Sequence, residues 1–177
     1  MSETAALDAN EAMHALDTET LQFLTFTLGQ DEYGVDIMSV REIKAWSDVT
    51  RLPNAPKFML GVMNLRGLII PIFDLRARFS GEFTQTHPKN VIIVVALEKR
   101  LIGILVDAVS DIVDTVPGEI KPPPSADLNI DERYVHGLIS LKERMIVVLD
   151  IEHLFDKEAL AKMPTHDHDI PKLSTLE

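Results

Sequence analysis

Cysteine is absent from all 177 residues, which removes disulfides, thiolate nucleophiles and cysteine-ligated zinc or iron–sulfur centres from consideration. No apolar run reaches the ~20 residues that a membrane helix needs, so direct membrane insertion is not expected. The first twenty residues hold no Lys or Arg and no apolar block, and so lack the features of a secretory signal. The expectation is a soluble chain that stays in the cytoplasm. Positive charge is scarce. Lys and Arg number 17 against 28 Asp and Glu, for a net charge of −11, and a chain this acidic is repelled by phosphate backbones. Nucleic acid is therefore an unpromising partner. Glycine-rich phosphate loops and Gly-x-Ser-x-Gly elbows are missing too. His14, His87, His136, His153, His166 and His168 form no two-His helical pair with a carboxylate, so neither a metal nor another cofactor is expected. Nothing in the sequence demands an enzyme.

What the chain does have is an ordinary globular interior: 46% apolar and 25% charged residues, which argues against wholesale disorder. The ends differ from the middle. Residues 1–20 carry five acids (Glu3, Asp8, Glu11, Asp17, Glu19), and residues 164–177 turn polar around Pro164 and Pro171; both read as flexible tails. Between them, runs of five to eight residues rich in Val and Ile alternate with turn chemistry: Leu21–Leu28, Met59–Leu65, Leu68–Phe73, Val91–Leu97, Leu101–Val106, Val135–Leu141 and Met145–Leu149. Such runs predict strands joined by hairpins. Helical patterns are few: Ile37–Ile43, a turn after Asp74, and a C-terminal helix over 151–163. Asp74 and Asp150 precede two of these, placed to cap free backbone N–H groups.

An internal repeat organises the middle. Leu28, Gly34-Val35, Val40 and Glu42-Ile43 recur as Leu97, Gly103-Ile104, Val109 and Asp111-Ile112, an offset of 69 residues. Gly61-Val62, Leu65, Asp74-Leu75 and Phe79 recur as Gly137-Leu138, Leu141, Asp150-Ile151 and Phe155, an offset of 76. The extra seven residues fit the loop Pro117–Ile130, which contains Pro122-Pro123-Pro124. The reading is two copies of one small β unit, over about 21–85 and 86–155. Each copy is ~60 residues, a size marginally stable alone. Val91–Leu97 is apolar at every position instead of alternating, so both of its faces must be covered. One face fills its own unit, and the other meets the sister unit or a partner.

Arg66 is the one charge in a long apolar stretch. It reads either as a turn residue beside Gly67, pointing to water, or as an interface anchor between sticky strands.

Several stretches resemble the CheW family of bacterial chemotaxis coupling proteins. They are Gln22–Leu28 with Glu32–Ile37 and Val40–Ile43, then Leu52–Pro56, Gly61–Gly67 and Pro71–Arg76, and in the second half Gly103–Asp107 with Val109, and Gly137-Leu138. The resemblance implies two packed SH3-like β-barrels of five strands each, with short helices and no catalysis. It implies an adaptor between methyl-accepting chemoreceptors and the regulatory domain of the histidine kinase CheA, recruited to membrane-bound receptor arrays. It places receptor contacts in the groove between subdomains, at Ile37, Val40, Glu42, Ile43 and Arg66, with Val91 and Ile112 opposite. Kinase contacts carry over only loosely, to Ile104, Val109 and the stretch around Lys121. Two other readings remain open. One is a CheW-like adaptor of a non-flagellar array serving pilus motility or biofilm signalling; the other is a small-molecule-binding or enzymatic double barrel that uses the groove between the units.

Overall fold

The computed structural model describes residues 19–123 and 130–155; the tails at 1–18 and 156–177, and most of the predicted C-terminal helix, lie outside the described residues. Eleven strands form there: β1 (Leu21–Leu28), β2 (Asp31–Asp36), β3 (Val40–Ala45), β4 (Met59–Leu65), β5 (Leu68–Asp74), β6 (Val91–Leu97), β7 (Arg100–Val106), β8 (Ala108–Thr115), β9 (Ile120–Lys121), β10 (Val135–Leu141) and β11 (Arg144–Leu149). Two short helices, α1 (Leu75–Ser80) and α2 (Ile151–Leu154), follow β5 and β11. Asp74 and Asp150 cap them as expected, accepting from Ala77 N and His153 N. The protein is mainly β, as its sequence predicts.

The strands pair into two sheets, β8-β1-β2-β11-β10-β9 (sheet A) and β3-β6-β7-β5-β4 (sheet B). The two orders superimpose once the repeat is applied. β1, β2, β3, β4 and β5 correspond to β6, β7, β8, β10 and β11. The parallel pairs correspond as well, Val148 opposite Gly34 in sheet A and Ile72 opposite Gly103 in sheet B. Sheet A has six strands instead of five because two-residue β9 joins it; sheet B has only the isolated bridge Thr50–Val62 at that place. Glycine is required where these extra segments cross. A Cβ on Gly61 would run into the Thr50 carbonyl, and one on Gly137 would meet Ile120 and lie 2.9 Å from the Lys121 carbonyl.

The division of the chain at 85/86 is not how the strands are shared. Sheet A takes the hairpin β1–β2 from the first copy and β8 to β11 from the second. Sheet B takes β6–β7 from the second copy and β3, β4 and β5 from the first. The copies exchange hairpins. The segments that carry the chain across are the turn Ile37–Ser39 and the bend at Asp107. A second difference lies at Ile37–Ile43, expected as a helix: a 3₁₀ turn over Ile37–Ser39 leads straight into strand β3. The turn, followed by a bulge between Val40 and Glu42, reproduces the i, i+3 spacing of a helix without being one.

Three apolar clusters explain the continuous apolar strands. Ile92 and Val94 of β6 join Met63, Leu65, Ile70, Ile72, Leu101 and Leu105 inside sheet B. Phe23, Val113, Ile139, Ile146 and Val148 fill sheet A. Strands near both ends of each sheet's order feed one cluster, so each sheet curves back on itself. Ile93, Val95 and Leu97 turn the other way, into the largest cluster, which also takes Leu24, Phe26, Val35, Phe73, Ile104, Leu149 and Phe155. This slab lies between the sheets. The second face of β6 is therefore covered by the sister unit.

Candidate functional site

β3 is an edge strand of sheet B, and the β4–β5 hairpin closes with the two-residue turn Arg66-Gly67. Both turn residues have positive φ, 52° and 89°, the combination a type I′ turn needs. Asn64 Oδ1 accepts from Gly67 N at 2.7 Å and steadies the turn. For Gly67 the conformation is free; for an arginine it costs about 1 kcal/mol. Arg66 Nη2 reaches Glu42 on β3 at 3.3 Å, and Lys44 Nζ stands 3.9 Å from the same carboxylate oxygen. The Arg66 side chain stays 60% exposed. An exposed pair of this kind contributes less than about 1 kcal/mol, so Arg66 can exchange Glu42 for another acceptor at little cost. Exposed apolar side chains adjoin it: Ile43 beside Glu42, and Leu68 and Ile69 directly after the turn.

The structure brings Glu42 and Arg66 into contact, with exposed Ile43 next to Glu42 along β3, and scatters the other expected contact residues. Val40 and Ile104 are fully buried in the inter-sheet slab, so neither is a surface contact. Val40 follows the 3₁₀ turn with its side chain toward the slab, and Ile104 sits on β7 between β5 and β6, with no solvent face. Ile37, Val91 and Val109 are half-buried against that slab. Ile112 is exposed on β8, and Lys121 is exposed on β9, its Nζ donating to the Gly118 carbonyl at 3.2 Å.

A counterpart surface lies on sheet A. Asp111 corresponds to Glu42, Ile112 to Ile43 and Met145 to Ile69; Ile112 and Met145 are both exposed. Arg144, on the far side of the β10–β11 hairpin, forks onto Asp111 at 2.9 and 3.2 Å and onto Glu32. Thr25 Oγ1 also donates to Asp111, at 2.5 Å. These bonds hold the Asp111 carboxyl below the usual carboxylate range, with the Arg144 hydrogen bonds as the main cause and Thr25 next. At three of these positions sheet B has Leu68, Leu101 and Val94, so its equivalent end is apolar. Inspection of single motifs misses Arg144, Leu68, Ile69 and Met145. The signal that finds them is the repeat, which pairs Ile69 with Met145 and Glu42 with Asp111.

A lowered carboxylate contributes stability above its unfolded pKa and loses it as pH falls through the folded value. Arg144→Met is therefore expected to unfold at lower urea than wild type at pH 7. The gap should narrow once pH drops below about 4. Urea midpoints at pH 7 and pH 3 check this, and a gap independent of pH contradicts it.

Depressions open on the surface of the described residues. One of about 570 Å³ lies between residues 51–60 and Phe83–Thr86, with Arg51 and Lys57 as its charged groups. Among the described residues no three His, Asp or Glu side chains converge as metal ligands, and no helix is long and apolar enough to cross a membrane.

Two curved β units packed through a shared apolar slab, with exposed aliphatic side chains gathered around an arginine–carboxylate pair, define a scaffold of the protein-binding class. The family model described as the CheW-like domain matches residues 22–159, and the chain belongs to that family. It is 42% identical over 145 residues to the chemotaxis protein CheW of Klebsiella aerogenes, covering 82% of this chain and 87% of that one. The probable chemotaxis protein CheW of Rhizobium etli is 37% identical over 146 residues, covering 82% and 94%. The crystal structure of the scaffolding protein TtCheW from Thermoanaerobacter tengcongensis superimposes with a TM-score of 0.72 at 31% identity, covering 80% of this chain and 91% of that chain.

Proposed function

We propose that this chain is a non-catalytic adaptor that couples methyl-accepting chemoreceptors to the histidine kinase CheA in chemotaxis signalling. It works in the cytoplasm and joins receptor arrays through those two partners. Family membership supports the pathway. The observation that carries the site is Arg66: a charged, exposed side chain held in a backbone conformation that glycine or asparagine would adopt more easily. Turn geometry alone does not explain an arginine there, whereas an anchor for a receptor carboxylate or helix end does. Glu42 keeps the guanidinium oriented until the partner arrives, and Ile43, Leu68 and Ile69 supply the apolar surroundings that make such an anchor effective. Ile37, Val91 and Ile112 belong to the receptor-facing set, and Val109 and Lys121 to the kinase-facing set.

Arg66→Ala is expected to change folding stability by no more than about 0.5 kcal/mol. It should weaken receptor binding by about 30-fold, the loss typical of an interface anchor. Arg66→Gly removes the backbone strain and should fold at least as well as wild type while binding as poorly as Arg66→Ala. Arg66→Lys restores binding only in part, because the ammonium lacks the planar fork. The measurement is co-sedimentation with receptor-containing membranes, and receptor-stimulated kinase activity, on variants first shown to be folded. Full coupling by Arg66→Gly would make Arg66 an ordinary hairpin residue.

A further inference from the structure

Several residues of the seam where α1 meets α2 are related by the 76-residue offset. Phe58 and Tyr134 are counterparts under the 76-residue offset. Their carbonyls accept from Asp74 N and Asp150 N, both at 2.8 Å. Phe73, beside Phe58, meets Phe155 there, their rings tilted and their centroids 4.7 Å apart. The counterpart of Arg78 in α1 is Leu154 in α2, which is fully buried in the slab. The Arg78 guanidinium sits 4.6 Å from the Phe58 ring centroid and 4.9 Å from the Tyr134 centroid. Its Nε donates to the Leu154 carbonyl at 2.8 Å, close to the end of α2. A cation is thus sandwiched between one aromatic ring from each copy and bonded to the opposing helix. Because leucine fills the equivalent place, apolar packing does not by itself call for arginine.

The slab around Arg78 is aliphatic and aromatic, and such packing is non-directional. A planar guanidinium stacked on two rings and donating along a fixed direction is directional. Ile37, Val91 and Val109 pack on the same slab as Phe58 and Tyr134. Their spacing therefore follows the angle at which the sheets meet. One other arginine of α1 ties the copies: Arg76 Nη2 lies 2.6 Å from Asp107, which also accepts from Gly29 N. That pair ties the first turn of α1 to the bend at Asp107, not to the opposing helix.

We propose that Arg78 is a positioning residue that fixes the angle between the two sheets, and through it the shape of the partner surface that spans both. The link to partner recognition rests on the adaptor reading above; the fixed angle does not. The chain's lack of cysteine makes the angle measurable. Lys99→Cys in the β6–β7 turn and Ser140→Cys on β10 place one nitroxide on each sheet, at exposed positions. Pulsed electron resonance then reads the distance between them in the full chain. Arg78→Leu, which copies the counterpart residue, is expected to melt cooperatively while its distance distribution broadens or shifts by more than about 2 Å. Receptor binding should fall about fivefold or more. Arg78→Lys keeps the charge but not the plane, and should restore neither. An unchanged distribution in Arg78→Leu overturns the proposal; if that variant does not fold, an unchanged distribution in Arg78→Lys overturns it in the same way. A broadened distribution with undiminished binding overturns the link to partner recognition. A wild-type chain that binds neither receptor nor kinase sinks the adaptor reading and leaves the distance result standing.

Discussion

Residues 19–85 and 86–155, produced as separate chains, are expected to be unfolded. The cut falls in the exposed segment between α1 and β6 and severs no strand. It nevertheless leaves β1–β2 without β8 and β11, and β3, β4 and β5 without β6 and β7. Neither fragment can complete a sheet, and the slab between sheets loses residues from both sides at once. A chain of this size is marginal even with its sheet intact. Co-expression of the two fragments should restore a folded complex, because every strand then finds its partner. Amide dispersion in two-dimensional NMR spectra of each fragment and of the mixture checks this. A cooperatively folded single fragment would contradict the exchange of hairpins.

Phe73→Ala is expected to be the most damaging single substitution. Phe73 is fully buried in the slab, with Phe58 at 5.6 Å and Phe155 at 4.7 Å between ring centroids. Removing such a ring costs about 3–5 kcal/mol, transfer and cavity terms together. Against a typical stability of about 5–15 kcal/mol, that loss should lower the melting temperature by about 10 °C or more. Phe155→Ala should behave similarly. The double variant should lose less than the two losses combined, since the rings share one contact and leave one cavity. Thermal melts of the three variants decide the matter. A loss below about 1 kcal/mol for Phe73→Ala would mean that the seam collapses around the gap.

Much of this architecture is legible in the residues. The unbroken apolar run Val91–Leu97 implies that both of its faces are covered, and Ile92 and Val94 do point one way while Ile93 and Val95 point the other. The two offsets that define the repeat relate the two sheets strand for strand. What the residues do not disclose is which copy's hairpin joins which sheet. A hairpin such as β1–β2 carries the same apolar pattern whether it completes its own sheet or the other one, and the choice is made by the short crossing segments. The start of β3 reads as helix because a 3₁₀ turn and a bulge together mimic helical spacing. Motif position does not disclose which side chains reach the surface, a condition that any contact residue must meet. Glu42, Ile43 and Arg66 meet that condition; Val40 and Ile104, equally apolar in sequence, point inward.

The exchanged hairpins also set an order of events during synthesis. Every strand of sheet B has left the ribosome once Val106 has emerged. Sheet A cannot close until β11 ends at Leu149, roughly forty residues later. The first-made hairpin β1–β2 is complete at Asp36, so at about 5–20 residues per second it waits some 6–23 s for Leu149 to be made. The oldest part of the nascent chain is thus among the last to settle. That interval is when a chaperone has most to shield, and when a second nascent copy could donate the missing strands in error.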